Sequence, residues 1–368
     1  MFWCTVASLS SCARGRRRSG VRPARPPLTE EETTAMLRRL DGTTPRVIAV
    51  TVTSGRRGVP LARVVEAALH AGAASVHVVF RGNGGQERVL RELLPADLSD
   101  RVSSTALPND LGTAGGFGAG IEHCLRQELD YAWLLEDDTV PRPDALSVVL
   151  SSPEALDPRA CHASLRETDL YQSQLVTGRP VTEVFPSPGR FLDNDVRRML
   201  RRPAVGRCSG RPRTPIRIPV APYGGLLVSR AALTTTAPPR PEFLLQGDDR
   251  EWTRRITMAG FPIHLHPLSR IDDVGTTRTA GERVSATDAL LHSANTRELY
   301  LSVRNRTYLD RELALTDGRR GSRAFALNRG LYCAALAARG LRWGRVATTR
   351  TVLRGVVAGS RGHFLSAR

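Results

Sequence analysis

A short apolar run that ends in three acidic residues constrains the fold of this chain most. Residues 131–135 are apolar and of strand length, and Glu136, Asp137 and Asp138 follow them directly. Such a run is typical of a buried strand that presents its charges at its C-terminal edge, where open α/β sheets bind ligands. Adjacent carboxylates repel one another unless a cation or hydrogen bonds compensate for their charge. The pattern predicts either a site for Mg²⁺ or Mn²⁺ that bridges to substrate phosphates, or a solvated acidic turn before the next helix.

Alternating apolar segments around this run predict an α/β fold. Strands and helices are expected to alternate over residues 46–53, 60–71, 75–80 and 87–94. Further strands are expected over residues 222–229 and 261–266, whereas residues 151–215 are less regular and predict loops and short helices. Strands that alternate with helices predict a parallel, doubly wound sheet with right-handed crossovers.

The positive charge of the chain lies at its two ends. The net charge is +17, and every basic residue is arginine. Residues 1–29 contain six arginines and residues 318–368 contain eleven, and neither segment contains an acidic residue. The middle of the chain is therefore neutral by formal charge, so we expect no nucleic-acid partner. The basic ends predict attraction to an anionic surface, which is a membrane leaflet or, as a third hypothesis that the neutral middle argues against, nucleic acid; the alternative is two solvated arginine-rich segments.

Composition divides the chain into three regions. Residues 1–40 are expected to form a disordered basic tail and a leading helix, residues 41–275 an α/β domain, and residues 276–368 a helical basic C-terminal region. The six cysteines are scattered, which fits a reducing compartment rather than a disulfide framework. The apolar start of the chain precedes its arginines, which is the reverse of a secretory signal. We therefore expect a cytoplasmic protein. If its basic ends bind lipid, we expect peripheral attachment to the inner face of the cell membrane.

Two further segments carry residues suited to binding and to chemistry. A glycine-rich turn over residues 109–120 opens a helix that leads into the acidic strand. Glycines there let the backbone approach a ligand closely, and close packing within the protein is the alternative. At the start of a later helix, Asp248 suits an N-cap, whereas Asp249 is harder to explain by capping and is a candidate catalytic base.

Taken together, these motifs resemble those of the inverting family 2 glycosyltransferases, in particular their galactofuranosyl- and rhamnosyltransferase-like branch. The matching segments keep the family's order and spacing, and they are residues 109–116, 136–141, 224–225, 248–251 and 304–305. The resemblance implies a GT-A fold, which is α/β with a Rossmann-like, mostly parallel sheet, here with a helical C-terminal extension. It implies a nucleotide-sugar donor, UDP- or dTDP-linked, whose diphosphate is bound through Mn²⁺ or Mg²⁺. The acceptor it implies is a cell-envelope glycan or a lipid-linked precursor.

The resemblance also implies roles for individual residues. Glu136, Asp138 and Asp273 take the metal-binding positions. Asp249 takes the position of the base that deprotonates the acceptor hydroxyl, and Asp248 is its neighbour at the catalytic position. The donor-binding positions are Thr53, Asn83, Asn109, Gly112, Gly115, Gly116 and Asp137. The acceptor-side positions are Gly224, Gly225, Glu251 and Trp252.

The chain departs from the family pattern at its second strand and at its metal-binding positions. The family usually ends that strand with an Asp-Asn pair, whereas Phe80 to Asn83 contain no Asp. Asp273 stands where the family has a metal-binding histidine, and Glu136 stands where it has an aspartate. These departures motivate a second hypothesis, a catalytically weakened glycan- or nucleotide-sugar-binding protein with the same fold.

Overall fold

One sheet forms the centre of the protein. The computed structural model describes residues 28–54, 58–82, 87–196, 212–244, 246–274, 290–291, 295–362 and 364, and within them nine strands form a single sheet. The strands are β1 (Val47–Thr53), β2 (Ser75–Arg81), β3 (Val102–Leu107), β4 (Tyr131–Glu136), β5 (Thr139–Pro141), β6 (Cys161–Arg166), β7 (Ile216–Ile218), β8 (Leu226–Ser229) and β9 (Ile263–Asp273). Their order is β3-β2-β1-β4-β8-β6-β9-β5, and β7 pairs with β9.

Helices cover both faces of this sheet and form the C-terminal part of the chain. They are α1 (Glu30–Leu40), α2 (Gly58–His70), α3 (Glu87–Leu93), α4 (Ala96–Ser99), α5 (Gly112–Leu125), α6 (Ala145–Leu150), α7 (Leu170–Leu175), α8 (Val181–Val184), α9 (Arg230–Thr235), α10 (Asp248–Met258), α11 (Thr296–Leu315), α12 (Gly318–Arg342) and α13 (Val346–Arg361). Short 3-10 turns occur at Pro153–Leu156 and Pro241–Phe243. The predicted α/β class with a helical C-terminal extension is confirmed.

The sheet is mostly parallel and changes character at β8. Strands β3, β2, β1 and β4 run parallel to one another, as the strand–helix alternation predicts. Strand β8 runs antiparallel to both of its neighbours, β4 and β6, whereas β6 and β9 are again parallel. An antiparallel strand starts at the edge where its neighbours end. The start of β8 therefore lies beside the ends of β4 and β6, where the acidic run emerges.

The alternation of side chains along β1 explains the two hydrophobic cores. Ile48, Val50 and Val52 belong to a core on one face, and Val47 and Ala49 belong to a core on the other. Successive side chains of a strand point to opposite faces, so a strand that is apolar throughout must be covered on both sides. Helix α5 contacts the first face and α2 the second, which confirms the doubly wound arrangement.

The expectation of loops and short helices over residues 151–215 is wrong at residues 161–166, which form β6 in the middle of the sheet, whereas α7 and α8 are short helices as expected. The sequence of β6 lacks a continuous apolar run, because His162 and Ser164 interrupt it. Both side chains are buried against polar partners inside the protein. His162 Nδ1 lies 3.0 Å from His266 Nε2, and the Ser164 hydroxyl accepts a hydrogen bond from the Ser269 hydroxyl at 2.7 Å. Polar side chains that pair across a buried sheet hide the strand from a hydropathy pattern.

Both ends of the described chain pack onto the α/β body. Arg159 donates from Nε and Nη2 to the two carboxylate oxygens of Glu32, each at 2.7 Å, so α1 is fixed to the body rather than to the tail. Near its end, the predicted helical C-terminal region forms the two helices α12 and α13, which are separated at Gly344, a residue with a φ of 63°. None of the described helices combines the length and the apolar composition that crossing a membrane requires. The expected basic tail lies almost entirely outside the described residues.

Candidate active site

A cleft of about 800 Å³ opens where β1, β4, β6 and β9 end. Both acidic clusters line it, although more than a hundred residues separate them along the chain. Its lining residues are Val52, Ser54, Arg81, Thr113, Glu136, Asp137, Asp138, Arg166, Thr168, Asp169, Leu170, Tyr223, Gln246, Gly247, Asp248, Asp249, Arg250, Asp273, Arg306 and Leu309. The carboxyl edge of an α/β sheet is the usual location of its ligand site.

Local hydrogen bonds orient the first acidic cluster. The Thr53 hydroxyl donates to Asp137 Oδ2 at 2.7 Å, so the end of β1 holds a side chain from the end of β4. The Thr139 hydroxyl accepts from the Glu136 amide at 2.9 Å and donates to the Glu136 carbonyl at 3.0 Å, which closes the turn between β4 and β5. Asp138, within this turn, is buried. The solvated acidic turn that the sequence left as an alternative is therefore wrong.

Arg166 forms an ion pair with two of the acidic residues. Its Nη1 donates to Glu136 Oε2, and its Nε and Nη2 lie 2.7 and 2.5 Å from Asp273 Oδ1. The Thr168 hydroxyl donates to the other oxygen of Asp273. Burial raises the pKa of Glu136, and the Arg166 charge acts against that rise. Burial lowers the pKa of Arg166, but the hydrogen bond that Arg166 donates to Asp273 and the charge of Glu136 outweigh burial, so the net pKa is raised.

The residues expected to bind a metal lie together, but their arrangement does not fit a dication. Glu136, Asp138 and Asp273 all line the cleft, as the resemblance implies. Two of them already share the Arg166 guanidinium, whose charge would repel Mg²⁺ or Mn²⁺ at the same oxygens. In the part of the chain that the structure describes, no three His, Cys, Asp or Glu side chains are placed to hold a metal ion. The requirement for Mn²⁺ or Mg²⁺ therefore stays a prediction.

The second acidic cluster lies in the first turn of α10. Gly247, with a φ of 86°, occupies the N-cap position, so the interpretation of Asp248 as the N-cap is wrong. Burial, together with the charge of Asp249, raises the pKa of Asp248 to about 7. Burial also raises the pKa of Asp249, although the neighbouring Arg250 opposes the rise. A carboxylate with a raised pKa binds a proton more readily, which suits a general base.

Two buried polar atoms in this cluster lack a well-formed hydrogen bond. They are Asp248 Oδ2 and the Tyr223 hydroxyl oxygen. Burial raises the pKa of Tyr223, and the Asp248 charge raises it further, so the phenol stays protonated and is able to donate. Unsatisfied buried polar atoms are costly, and at a cleft they indicate positions where a ligand or water completes the bonding.

Helix α11 fixes the loop that carries the second cluster into the cleft. Asn305 Nδ2 donates to the carbonyls of Phe243 and Gln246 at 2.7 and 2.9 Å, and Arg304 Nη2 donates to another carbonyl of the same loop at 2.7 Å. Gln246 has a φ of 58°, a backbone conformation that is unfavourable for residues other than glycine. The late Arg-Asn motif therefore positions the loop before Asp248, and both of its side chains are fully buried.

The three predicted donor-binding glycines are packed closely inside the protein and are not among the cleft-lining residues. A Cβ on Gly116 would lie 2.3 Å from Val52 Cγ1, and a Cβ on Gly112, whose φ is 69°, would lie 2.5 Å from the Leu244 carbonyl oxygen. A Cβ on Gly115 would lie 2.3 Å from Leu111 Cβ, within the same helix start. Close packing, the alternative that the sequence left open, explains these positions.

The remaining donor-binding positions have three outcomes. Asp137 lines the cleft, and Thr53 contacts it through the Asp137 carboxylate. Asn109 is exposed and is not among the lining residues. Asn83 lies outside the described residues, so its predicted role is left open.

The predicted acceptor-side residues separate into two groups. Glu251 accepts a hydrogen bond from Arg255 Nε at 2.9 Å, and Trp252 is fully buried with Nε1 donating to a main-chain carbonyl at 3.1 Å. These two side chains stabilise α10 against the core and are not among the residues that line the cleft. Gly224 lies beside the Arg166 ion pair, where a Cβ would be 3.3 Å from Arg166 Nη1, whereas a Cβ on Gly225 would be 2.8 Å from Ile271 Cγ1.

Several cleft residues were not foreseen from the sequence. They are Arg81, Arg166, Thr168, Tyr223, Arg250 and Arg306. Arg166 and Thr168 follow the strand that the hydropathy pattern missed, so their position was not apparent. Tyr223 directly precedes the Gly-Gly pair, and Arg250 directly follows Asp249, so proximity to a motif was a usable signal for both.

No protein-family model matches the sequence, and no curated protein matches it. Among solved structures, the chain is similar to the crystal structure of S. aureus TarS, with 11% sequence identity and a TM-score of 0.41. The similarity covers 86% of this chain and 55% of the TarS chain, so this chain spans little more than half the length of TarS.

Proposed function

We propose that this protein is an inverting glycosyltransferase. It transfers a sugar from a UDP- or dTDP-linked donor to a hydroxyl group of a cell-envelope glycan or a lipid-linked acceptor. The observation that carries the proposal is the meeting of two acidic clusters, at the end of β4 and at the start of α10, in one cleft. One cluster lies on the sheet edge that binds ligands in α/β folds, and the other offers a carboxylate with a raised pKa.

Arginines in the cleft suit the charge of a donor diphosphate. Arg81, Arg250 and Arg306 line the cleft together with Arg166. Guanidinium groups bind phosphate oxygens through paired N–H donors, which fixes orientation as well as charge. Asp137, held by Thr53, is an acceptor for a hydroxyl of the donor ribose or sugar.

The proposed chemistry is a single displacement at the anomeric carbon. Asp249 takes the proton of the acceptor hydroxyl as its oxygen forms a bond to the anomeric carbon. The bond from that carbon to the diphosphate oxygen breaks, and the electron pair leaves with the nucleoside diphosphate. Attack from the face opposite the leaving group inverts the carbon. No covalent intermediate with the protein is needed.

The C-terminal helices support an acceptor at an anionic lipid surface. Leu331, Leu341 and Trp343 are exposed on or directly after α12. Exposed arginines accompany them, and residues 318–368 contain no acidic residue. Exposed apolar side chains beside arginines are typical of helices that lie in a membrane interface. We propose peripheral attachment to the inner face of the cell membrane on this basis.

The proposal is tested by donor binding and by sugar transfer. A thermal-shift panel of UDP- and dTDP-sugars identifies the donor, and release of the nucleoside diphosphate is then followed with acceptor extracts. Asp249→Asn is expected to lower the transfer rate by a factor of about 10²–10⁴ while donor affinity changes little, because only the base is lost. Asp97→Asn, at an exposed aspartate outside the cleft, is the charge-matched control.

The same assay separates the outcomes. Transfer at the wild-type rate by Asp249→Asn would show that the base is a different residue. A panel in which no nucleotide sugar binds would refute the proposed function as a whole.

A catalytically weakened nucleotide-sugar-binding protein is the second candidate. The observation that favours it is the engagement of both Asp273 carboxylate oxygens by Arg166 and Thr168, at a position where the family has a histidine. This candidate predicts donor binding without hydrolysis or transfer for every acceptor tried, in the presence and in the absence of Mn²⁺.

A further inference from the structure

Arg166 lies where the resemblance places a metal ion. Its guanidinium contacts Glu136 and Asp273, which are two of the three expected metal ligands. The side chain of Arg166 is 19% exposed and that of Asp273 is 6% exposed, so this is a partly buried ion pair at the cleft wall rather than a surface contact. Isolated surface ion pairs are weak and variable, whereas a buried pair is held by its surroundings.

The surrounding chain leaves room for this guanidinium. Arg166 ends β6 and Glu136 ends β4, and β8 lies between these two strands in the sheet. The Gly224-Gly225 pair directly precedes β8, at the edge of the sheet where β4 and β6 end. A Cβ on Gly224 would be 3.3 Å from Arg166 Nη1, 3.4 Å from Glu136 Oε2 and 3.1 Å from Thr139 Cγ2. A side chain at position 224 would therefore crowd the path along which Arg166 reaches Glu136.

The ion pair leaves Arg166 able to bind a further anion. The three contacts with Glu136 and Asp273 use one N–H from each of the three guanidinium nitrogens. A guanidinium has five N–H donors, so capacity remains on the Nη1 and Nη2 atoms. Its pKa is raised, and its charge is therefore permanent. Arg81, Arg250 and Arg306 add positive charge around the same cleft.

We infer that Arg166 supplies to the donor diphosphate, from within the chain, the positive charge that a bound dication would otherwise supply. Nucleoside-diphosphate binding and sugar transfer then need no added Mn²⁺ or Mg²⁺. The inference rests on the proposed function, and it replaces the expected metal with a residue of this chain. Glu136 and Asp273 act as the carboxylates that position the guanidinium.

Calorimetric titration of the full chain with UDP and with dTDP tests the inference, once with EDTA and once with Mn²⁺. Wild-type affinity for the nucleotide that binds is expected to agree within about twofold between the two conditions. Arg166→Gln is expected to weaken binding in EDTA by about 10–100-fold, the range for loss of a hydrogen bond to a charged group. Arg142→Gln is the control for loss of an arginine–carboxylate pair, because Arg142 forms an exposed pair with the adjacent Asp272 and is not among the cleft-lining residues.

In the Arg166→Gln variant, nucleotide affinity should also become sensitive to Mn²⁺, which a merely structural role of Arg166 would not produce. Removal of the guanidinium frees Glu136 and Asp273, so Mn²⁺ should restore part of the lost affinity in this variant while it has little effect on the wild type. Arg166→Lys keeps the charge but loses the planar fork, so it is expected to bind more tightly than Arg166→Gln in EDTA.

Contrary results are distinguishable. A wild-type affinity that rises tenfold or more with Mn²⁺, or transfer that EDTA abolishes, overturns the role of Arg166 and leaves the proposed function standing. No binding of UDP or dTDP in either condition overturns the proposed function and this inference with it. The wild-type comparison decides the question by itself if Arg166→Gln does not fold.

Discussion

Replacing Gly116 with alanine tests what the glycine-rich start of α5 does. A Cβ at this position would lie 2.3 Å from Val52 Cγ1 and 3.2 Å from Val52 Cγ2. Ordinary Cβ contacts begin at 3.4 Å. Val52 is a β-branched residue buried in β1, so its side chain has few alternative rotamers. Helix α5 must therefore move away from the sheet by on the order of 1 Å, which loosens packing along the whole helix.

The magnitude follows from two opposing terms. Overpacking a well-packed core typically costs about 1–3 kcal/mol. Replacing glycine by alanine inside a helix stabilises it by up to about 1 kcal/mol. The free energy of unfolding is therefore expected to fall by about 1–2 kcal/mol. For a domain of this size, that change lowers the Tm by about 2–8 °C.

Gly118→Ala is the matched control in the same helix. Its Cβ would meet only Pro238 Cβ, at 3.9 Å, so we expect unchanged or slightly increased stability. Urea unfolding followed by tryptophan fluorescence measures the free energy of unfolding, and calorimetric titration measures UDP and dTDP binding. The packing explanation would be refuted if Gly116→Ala unfolded like Gly118→Ala but lost nucleotide binding. That result would favour close approach of the backbone to the donor.

Three further predictions concern the base, its support and the leading helix. The transfer rate should rise with pH through about 7, because burial raises the pKa of Asp248 to about 7 and also raises that of Asp249. The pair must lose its own proton before it accepts the proton of the acceptor hydroxyl. A pH–rate profile that is flat from pH 5 to 9 would contradict this. Asn305→Ala should lower the transfer rate by about tenfold, since two hydrogen bonds at roughly 1 kcal/mol each hold the loop before Asp248, and steady-state kinetics with circular dichroism separate this effect from unfolding. Glu32→Gln should lower the free energy of unfolding by about 3 kcal/mol at pH 7, because it leaves the buried Arg159 charge uncompensated. The Arg159 hydrogen bond lowers the pKa of Glu32, so the stabilising effect is present above pH 4.5 and fades below it, as urea unfolding across pH would show.

The parts of the fold that could be predicted are those in which local pattern and tertiary role agree. Helix α1 lies within the region where a leading helix was predicted, and β1, β2 and β4 agree with their predicted bounds to within one residue at each end, because each strand is a continuous apolar run. Strand β6 could not be found, because His162 and Ser164 are buried through polar contacts with β9. Hydropathy does not report burial that hydrogen bonds compensate.

The candidate site shows the same division. The acidic runs at Glu136–Asp138 and Asp248–Asp249 were visible in the sequence because charge that ends an apolar segment stands out. Their meeting depends on the order of the strands, which no local pattern contains. The partner of Glu136 and Asp273 is an arginine at the end of the missed strand, so the sequence suggested a metal where the structure has an ion pair.

Hydrogen bonds join α11 to the α/β body, so the chain does not divide cleanly into an α/β domain and a separate helical region. Asn305 binds the loop before Asp248, Asp310 accepts a hydrogen bond from the Leu192 amide at 2.8 Å, and Arg254 of α10 donates to α11 carbonyls. A fragment ending near residue 275 would keep every acidic side chain of the cleft but lose the hydrogen bonds from α11 that orient the second cluster. The helical region therefore belongs to the same folded unit as the cleft, and the two cannot be separated without freeing the loop before Asp248.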